Sequence, residues 1–193
     1  GLQRSKRTSQ QAWRRRIRGV INEINSRFAH TYIIFISCFQ HCKRNDKSGT
    51  DDTKQQLTKA PDFTVYDGSG NKVNLSDYVG KPIVLNFWAS WCGPCQSEMP
   101  DFHEKYLESG NKIHFLMVNM TGGRETLDSA KAFISEKGYT FPVFYDTDTD
   151  AAMTYSVYSL PTTYFIDAEG HLIAQATGAI SADTLQRGID MIK

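Results

Sequence analysis

The chain predicts an α/β fold, a central mixed sheet flanked by helices and entered through an N-terminal β-hairpin. Three observations carry that prediction. Ile83-Val84-Leu85-Asn86-Phe87-Trp88 is a nearly unbroken apolar run, as a central strand shows when both of its faces are covered. Strand and helix signals alternate from about residue 60 to the C-terminus. The third is size: 193 residues with 40% hydrophobic and 12% aromatic content can bury one substantial core but hardly two.

The charges divide the chain. Of 22 Lys and Arg, 11 fall in residues 1–47, which hold only two acids, Glu23 and Asp46, whereas residues 48–193 carry 11 basic and 19 acidic groups. The net charge of +1 thus conceals a tail near +9 and a domain near −8. Residues 1–59 read as a basic N-terminal tail and linker, signal- or lipoprotein-like or disordered, and residues 60–193 as the folded domain. In the tail Trp13, Ile17, Val20, Ile21, Ile24 and Phe28 recur at helical spacing among Arg14, Arg15, Arg16 and Arg18. That pattern suits a basic amphipathic helix, and the composition suits disorder equally well.

The run Tyr32-Ile33-Ile34-Phe35-Ile36 is too short to span a bilayer as a helix, which takes about 20 apolar residues. A basic region, a short apolar run, Ser37 and then Cys38 follow the order of a secretion signal's end. Phe35-Ile36-Ser37-Cys38 resembles a bacterial lipoprotein box with Phe in the place of the usual Leu, which makes Cys38 a candidate lipid-attachment site and the tail a candidate membrane tether. A start site assigned too early, or appended sequence, would account for the same residues. Cys38 and Cys42 with His41 between them could chelate a metal weakly or be unpaired. A nucleic-acid partner is not expected, because no aromatic-studded sheet or helix-turn-helix pattern accompanies the basic tail.

Along the domain, Phe63-Thr64-Val65-Tyr66, the turn Asp67-Gly68-Ser69-Gly70 and Lys72-Val73-Asn74 read as a hairpin placed before the main sheet. The apolar run to Trp88 follows as the central strand. The next helix runs from about Gly93 to Leu107, with Pro94 in its first turn, where the missing N–H costs nothing, and Pro100 inside it, where a kink is expected. Ile113 to Val118 form a strand, Thr126 to Lys137 a helix with Ala130, Ala132, Phe133 and Ile134 as apolar positions, and Pro142 to Tyr145 a strand. Thr162–Ile166 and Leu172–Thr177 pair as a hairpin across Asp167-Ala168-Glu169-Gly170. Ser181 caps the last helix, whose Leu185, Ile189 and Ile192 return to the sheet.

The chemistry lies in Trp91-Cys92-Gly93-Pro94-Cys95. A C-x-x-C after an apolar strand and at a helix start sets its first sulfur at the positive end of the helix dipole, where thiolate is favoured. Cys92 is thereby the nucleophile that attacks a disulfide, and Cys95, one helical turn along, is the resolving thiol that releases the product. A zinc site would need two further ligands, and no second C-x-x-C or paired histidines follow; His103 stands alone. A purely structural disulfide over so short a loop would add little stability. No metal and no cofactor are expected.

The same motif matches the active site of the thioredoxin superfamily, and three features resemble its TlpA/ResA-like branch of thiol-disulfide oxidoreductases. These are Asn86 six residues before Cys92, Glu98-Met99-Pro100 after Cys95, and Leu160-Pro161-Thr162-Thr163-Tyr164-Phe165-Ile166-Asp167 downstream. The resemblance implies a thioredoxin-like fold, with residues 126–145 as the central αβ insertion of that branch. It implies a cis Pro161 packed against the two sulfurs, Leu160 offering its backbone to an extended substrate, and Trp91, Gly93 and Pro94 on the substrate-binding surface. Asn86 stands where many thioredoxins carry a proton-handling aspartate. Asparagine cannot transfer a proton, so Glu98 is the acid placed to serve Cys95.

Gly-Pro between the cysteines goes with reducing behaviour. The expected activity is a thiol-disulfide oxidoreductase that reduces extracytoplasmic protein disulfides, acting as a monomer in a bacterium, with a disulfide-containing protein as substrate and a membrane thiol electron donor if the chain is exported. A cytoplasmic location is the alternative. A redox-sensing or binding module on the same fold is a second reading. A peroxiredoxin-like peroxidase is disfavoured, since its P-x3-[TS]-x2-C signature needs Pro at 85 and Thr or Ser at 89, where the chain has Leu85 and Ala89.

Overall fold

The computed structural model describes residues 57–193, so the tail features, including the amphipathic pattern, Cys38 and Cys42, lie outside the described residues. The described residues build one seven-stranded sheet. Its strands are β1 (Thr64–Tyr66), β2 (Lys72–Asn74), β3 (Ile83–Trp88), β4 (His114–Asn119), β5 (Val143–Tyr145), β6 (Thr162–Ile166) and β7 (Leu172–Thr177), in the order β2-β1-β5-β4-β3-β6-β7. β3, β4 and β5 run parallel, and β6 and β7 continue antiparallel on the other side of β3. The hairpin is thus not separate from the main sheet: Tyr66 pairs with Tyr145, which joins β1 to the edge of β5.

The period-two alternation of β3 divides the core. Val84 and Trp88 belong to one apolar cluster and Ile83, Leu85 and Phe87 to another, as expected where successive side chains of a strand point to opposite faces. The first face is covered by α1 (Gly93–Ser109), α2 (Leu127–Lys137) and α4 (Ala182–Met191), through Met99 and Phe102, Ala130, and Leu185 and Ile189. Against the second face pack Phe63, Leu75, Ala151 and Tyr155. The rings of Phe63, Phe87, Tyr155 and Tyr164 stack there edge to face, and the hydroxyl of Tyr164 donates to Tyr155 O at 2.9 Å. Each such buried side chain contributes about 1.5–3 kcal/mol by leaving water.

Two short elements were not expected from sequence. Leu75–Tyr78 form a 3-10 turn, and α3 (Asp150–Thr154) is a five-residue helix. The start of α3 is held from outside itself: buried Asp146 accepts from the amides of Ala151 at 3.2 Å and Ala152 at 2.8 Å. Local sequence carries no sign of such a cap. Elsewhere bounds move by a residue or two, with α1 running on to Ser109. Gly188 lets α4 lie close on β6, because a Cβ there would overlap the ring of Phe165.

Candidate active site

The end of β3 and the start of α1 deliver the cysteines together. Cys92 is the N-cap of α1, and its Sγ accepts from Cys95 N at 3.2 Å, so the sulfur occupies the place of a capping oxygen. The two residues are joined as a disulfide with Cα atoms 5.2 Å apart. Cys95 is fully buried, while Cys92 keeps a small exposed fraction of 5%. No acidic residue lies in the first turn of α1 to offset the positive helix terminus.

Beside the pair in the chain, Trp91, Gly93 and Pro94 are exposed; Leu160 is half-buried against the core cluster that holds both cysteines, and Pro161 is buried. The Leu160–Pro161 bond is cis. Pro161 O accepts from Gly178 N at 2.8 Å, and Ser159 O accepts from the Thr162 hydroxyl at 2.8 Å, which ties the proline loop to β6 and β7. Among the described residues the backbone of Leu160 makes no hydrogen bond to other backbone.

Behind the sulfurs lies a polar cluster inside the apolar core. Asn86 has the same parity on β3 as Val84 and Trp88, so its side chain meets α1, and Glu98 is one turn beyond Cys95 on that helix. Asn86 Nδ2 donates to Glu98 Oε1 at 2.9 Å and to Thr163 Oγ1 at 3.0 Å; Asn86 and Thr163 are opposite each other across β3 and β6. Ile180 N donates to Glu98 Oε2 at 2.9 Å. Burial lifts the Glu98 carboxyl to about 7, against the opposing pull of the hydrogen bonds from Ile180 and Asn86. A carboxyl poised near neutrality can give or take a proton where the asparagine beside it cannot.

Glu125 is a residue that sequence reasoning passed over. It precedes the Thr126 cap of α2, where an acid reads as solvated, yet it is buried and its carboxylate holds the active-site loop. Glu125 Oε2 accepts from Ser90 N at 3.1 Å and from the Ser90 hydroxyl at 2.8 Å, and Oε1 accepts from Asn119 Nδ2 at 3.1 Å. Ser90 is also gripped from α1, since Gln96 Nε2 donates to its carbonyl. The loop carrying Trp91 and Cys92 is therefore pinned from two sides. Elsewhere, Asp167, Glu169 and His171 come together at the β6–β7 turn, where Asp167 accepts from His171 N at 2.7 Å and fixes the turn.

The AhpC/TSA family model matches residues 57–175. The chain is 38% identical over 135 residues to the thiol-disulfide oxidoreductase ResA of Geobacillus kaustophilus, covering 69% of this chain and 76% of that protein. It belongs to the thioredoxin-like AhpC/TSA family and is a thiol-disulfide oxidoreductase of the ResA type. Solved structures agree with this membership. A protein from Chlorobium tepidum described as a thiol:disulfide interchange protein DsbE superposes with a TM-score of 0.62 at 31% identity, over 69% of this chain and 94% of that one. The exposed lipoprotein thioredoxin of Streptococcus pneumoniae gives a TM-score of 0.57 at 36% identity, over 67% of this chain and 99% of that one. Within this ResA-type chain the peroxidase spacing is not met, because Leu85 and Ala89 hold the positions it requires.

Proposed function

We propose that the protein is a reductase of protein disulfides outside the cytoplasmic membrane, working through the Cys92-Gly93-Pro94-Cys95 dithiol. The observation that carries this reading is the Cys92 sulfur in the capping position of α1, the more accessible of the pair and held where negative charge is favoured. In the reduced enzyme the Cys92 thiolate attacks one sulfur of the substrate disulfide. That S–S bond breaks, a mixed disulfide forms, and the released substrate thiolate takes a proton from water. Cys95 then loses its proton to Glu98, and its thiolate attacks the Cys92 sulfur; the mixed disulfide breaks, and the second substrate thiolate leaves and takes a proton from water. Two electrons have passed to the substrate, which leaves as a dithiol, and the enzyme is left with the Cys92–Cys95 disulfide. Trp91, Gly93 and Pro94 form the surface on which the substrate segment lies, with the buried Pro161 supporting it from below, and Leu160 pairs with its backbone.

The sequence of the tail supports this location. Its basic region, short apolar run and Cys38 support export and lipid attachment, and the pneumococcal relative is named an exposed lipoprotein. Among the described residues no helix is long and apolar enough to cross a membrane, so a tether would come from the lipid or the tail. A membrane thiol donor would recharge the dithiol there, and the domain would act as a monomer.

Equilibration with glutathione buffers tests the direction. The expected potential lies nearer the roughly −270 mV of thioredoxin than the roughly −120 mV of the oxidant DsbA. A potential at the oxidising end, with faster oxidation of a reduced unfolded protein than reduction of insulin, overturns the reading. Membrane fractionation with the mass of the mature N-terminus tests the tether, and Cys38→Ala is expected to release the protein from the membrane.

A further inference from the structure

The guanidinium of Arg124 lies 4.7 Å from the ring centroid of Trp91, the exposed residue immediately before the nucleophile. Its position is built. Arg124 sits in a four-residue turn between β4 and α2, closed by Gly122 N donating to Glu125 O at 2.8 Å and Glu125 N donating to Gly122 O at 3.0 Å. Gly122 and Gly123 take left-handed φ values of 138° and 57°, which a side chain would resist. The neighbouring Glu125 turns inward and is fixed to Ser90, so the clamp that holds the active-site loop also aims Arg124 outward over Trp91.

The charge itself has no other evident use. Arg124 is one of two arginines in residues 48–193, a stretch where acids outnumber bases 19 to 11. Among the described residues it forms no ion pair. The two carboxylates of the site, Glu98 and Glu125, are buried and engaged with other donors. The exposed surface beside Cys92 thus combines a helix N-terminus with an unpaired guanidinium on an otherwise acidic domain.

We propose that Arg124, stacked on Trp91, is a specificity-determining residue that selects protein disulfides carrying a carboxylate next to the reactive cysteine. The inference rests on the reading of Cys92 as nucleophile toward protein disulfides and adds the chemistry of the substrate. The guanidinium lies over the indole and donates no hydrogen bond among the described residues, so it can hold a carboxylate at the edge of the ring as the substrate sulfur reaches Cys92.

Two cyclic peptide disulfides of equal length, one with aspartates and one with lysines flanking the cysteines, are reduced by stoichiometric reduced enzyme, and second-order rate constants are read by mass after acid quench. The measured quantity is the ratio of acidic to basic rates, normalised to the same ratio for dithiothreitol. The ratio is expected to fall roughly fivefold in Arg124→Gln, to fall further in Arg124→Glu, and to shrink with added salt in the wild type. Lys112→Gln, an exposed cation on another loop, should leave it in place. A ratio equal within twofold in wild type and Arg124→Gln overturns the inference while leaving the reductase reading intact. If wild-type enzyme reduces neither peptide, the reductase reading falls and this inference with it.

Discussion

Asn86 and Glu98 meet across the interior at 2.9 Å, joining the central strand to the helix that carries both cysteines. The contact links an amide that cannot ionise to a carboxyl that burial has brought near neutrality, and it gives the site a pH response of its own.

That response is measurable as stability. With its carboxyl raised from 4.5 to about 7, folded Glu98 keeps a proton that the unfolded chain has already released. Its contribution is fully present below pH 4.5 and is lost as pH rises through about 7. At about 1.4 kcal/mol per pH unit the loss approaches about 3 kcal/mol between pH 5 and pH 8. Urea unfolding of wild type and Glu98→Gln at both pH values should show the variant gaining on the wild type by that amount. A gap that does not change with pH would contradict the assignment. Reduction rates in Glu98→Gln should also lose their rise through pH 7.

The two cysteines should separate by kind of defect. Cys92→Ser is expected to lower disulfide reduction roughly a thousandfold or more, since no nucleophile remains. Cys95→Ser should still attack but stall, accumulating a substrate adduct visible in the intact mass. An adduct that formed only in Cys92→Ser would reverse the roles.

Removing the Glu125 carboxylate strands three donors, the buried Asn119 Nδ2 and the part-buried Ser90 N and Ser90 hydroxyl. Glu125→Ala should cost about 3 kcal/mol in denaturant unfolding, on the scale of buried polar groups left without partners. Glu125→Gln, which keeps one oxygen, should cost about half. A loss below about 0.5 kcal/mol in Glu125→Ala would mean that the loop is held by other means.

Gly188→Ala tests the packing of α4 on the sheet. The added methyl meets the ring of Phe165, which is buried and has no room to withdraw, so a loss of about 2 kcal/mol is expected by thermal or urea unfolding. An unchanged midpoint would show that α4 can move outward freely.

Most of the sheet was legible because its signals are local. The apolar run of β3, the Asp167–Gly170 turn and the Ser181 cap each declare themselves within a few residues. The placement of the cysteine pair was legible for the same reason, as cysteine spacing at a strand-to-helix junction. What escaped depends on groups distant in sequence. Glu125 is buried because Ser90, 35 residues earlier, needs its oxygen, and α3 starts where Asp146 caps it. Glu98 was visible as an acid one turn past Cys95, yet its partner Ile180 lies 82 residues on, beyond any periodicity.

Because the Cys92 sulfur is at once the cap of α1 and half of the redox couple, the firmness of the helix start and the reduction potential are two readings of one thermodynamic cycle. Oxidised and reduced forms differ in what stands at that cap, a disulfide sulfur or a thiolate, so whatever makes the first turn a better host for charge favours the reduced chain over the oxidised one. About 1.4 kcal/mol of such preference moves a two-electron potential by about 30 mV. Ser97, whose hydroxyl donates to Pro94 O at 2.7 Å in that turn, sits where an evolving chain could shift its electron affinity without altering a sulfur or a surface that substrate touches.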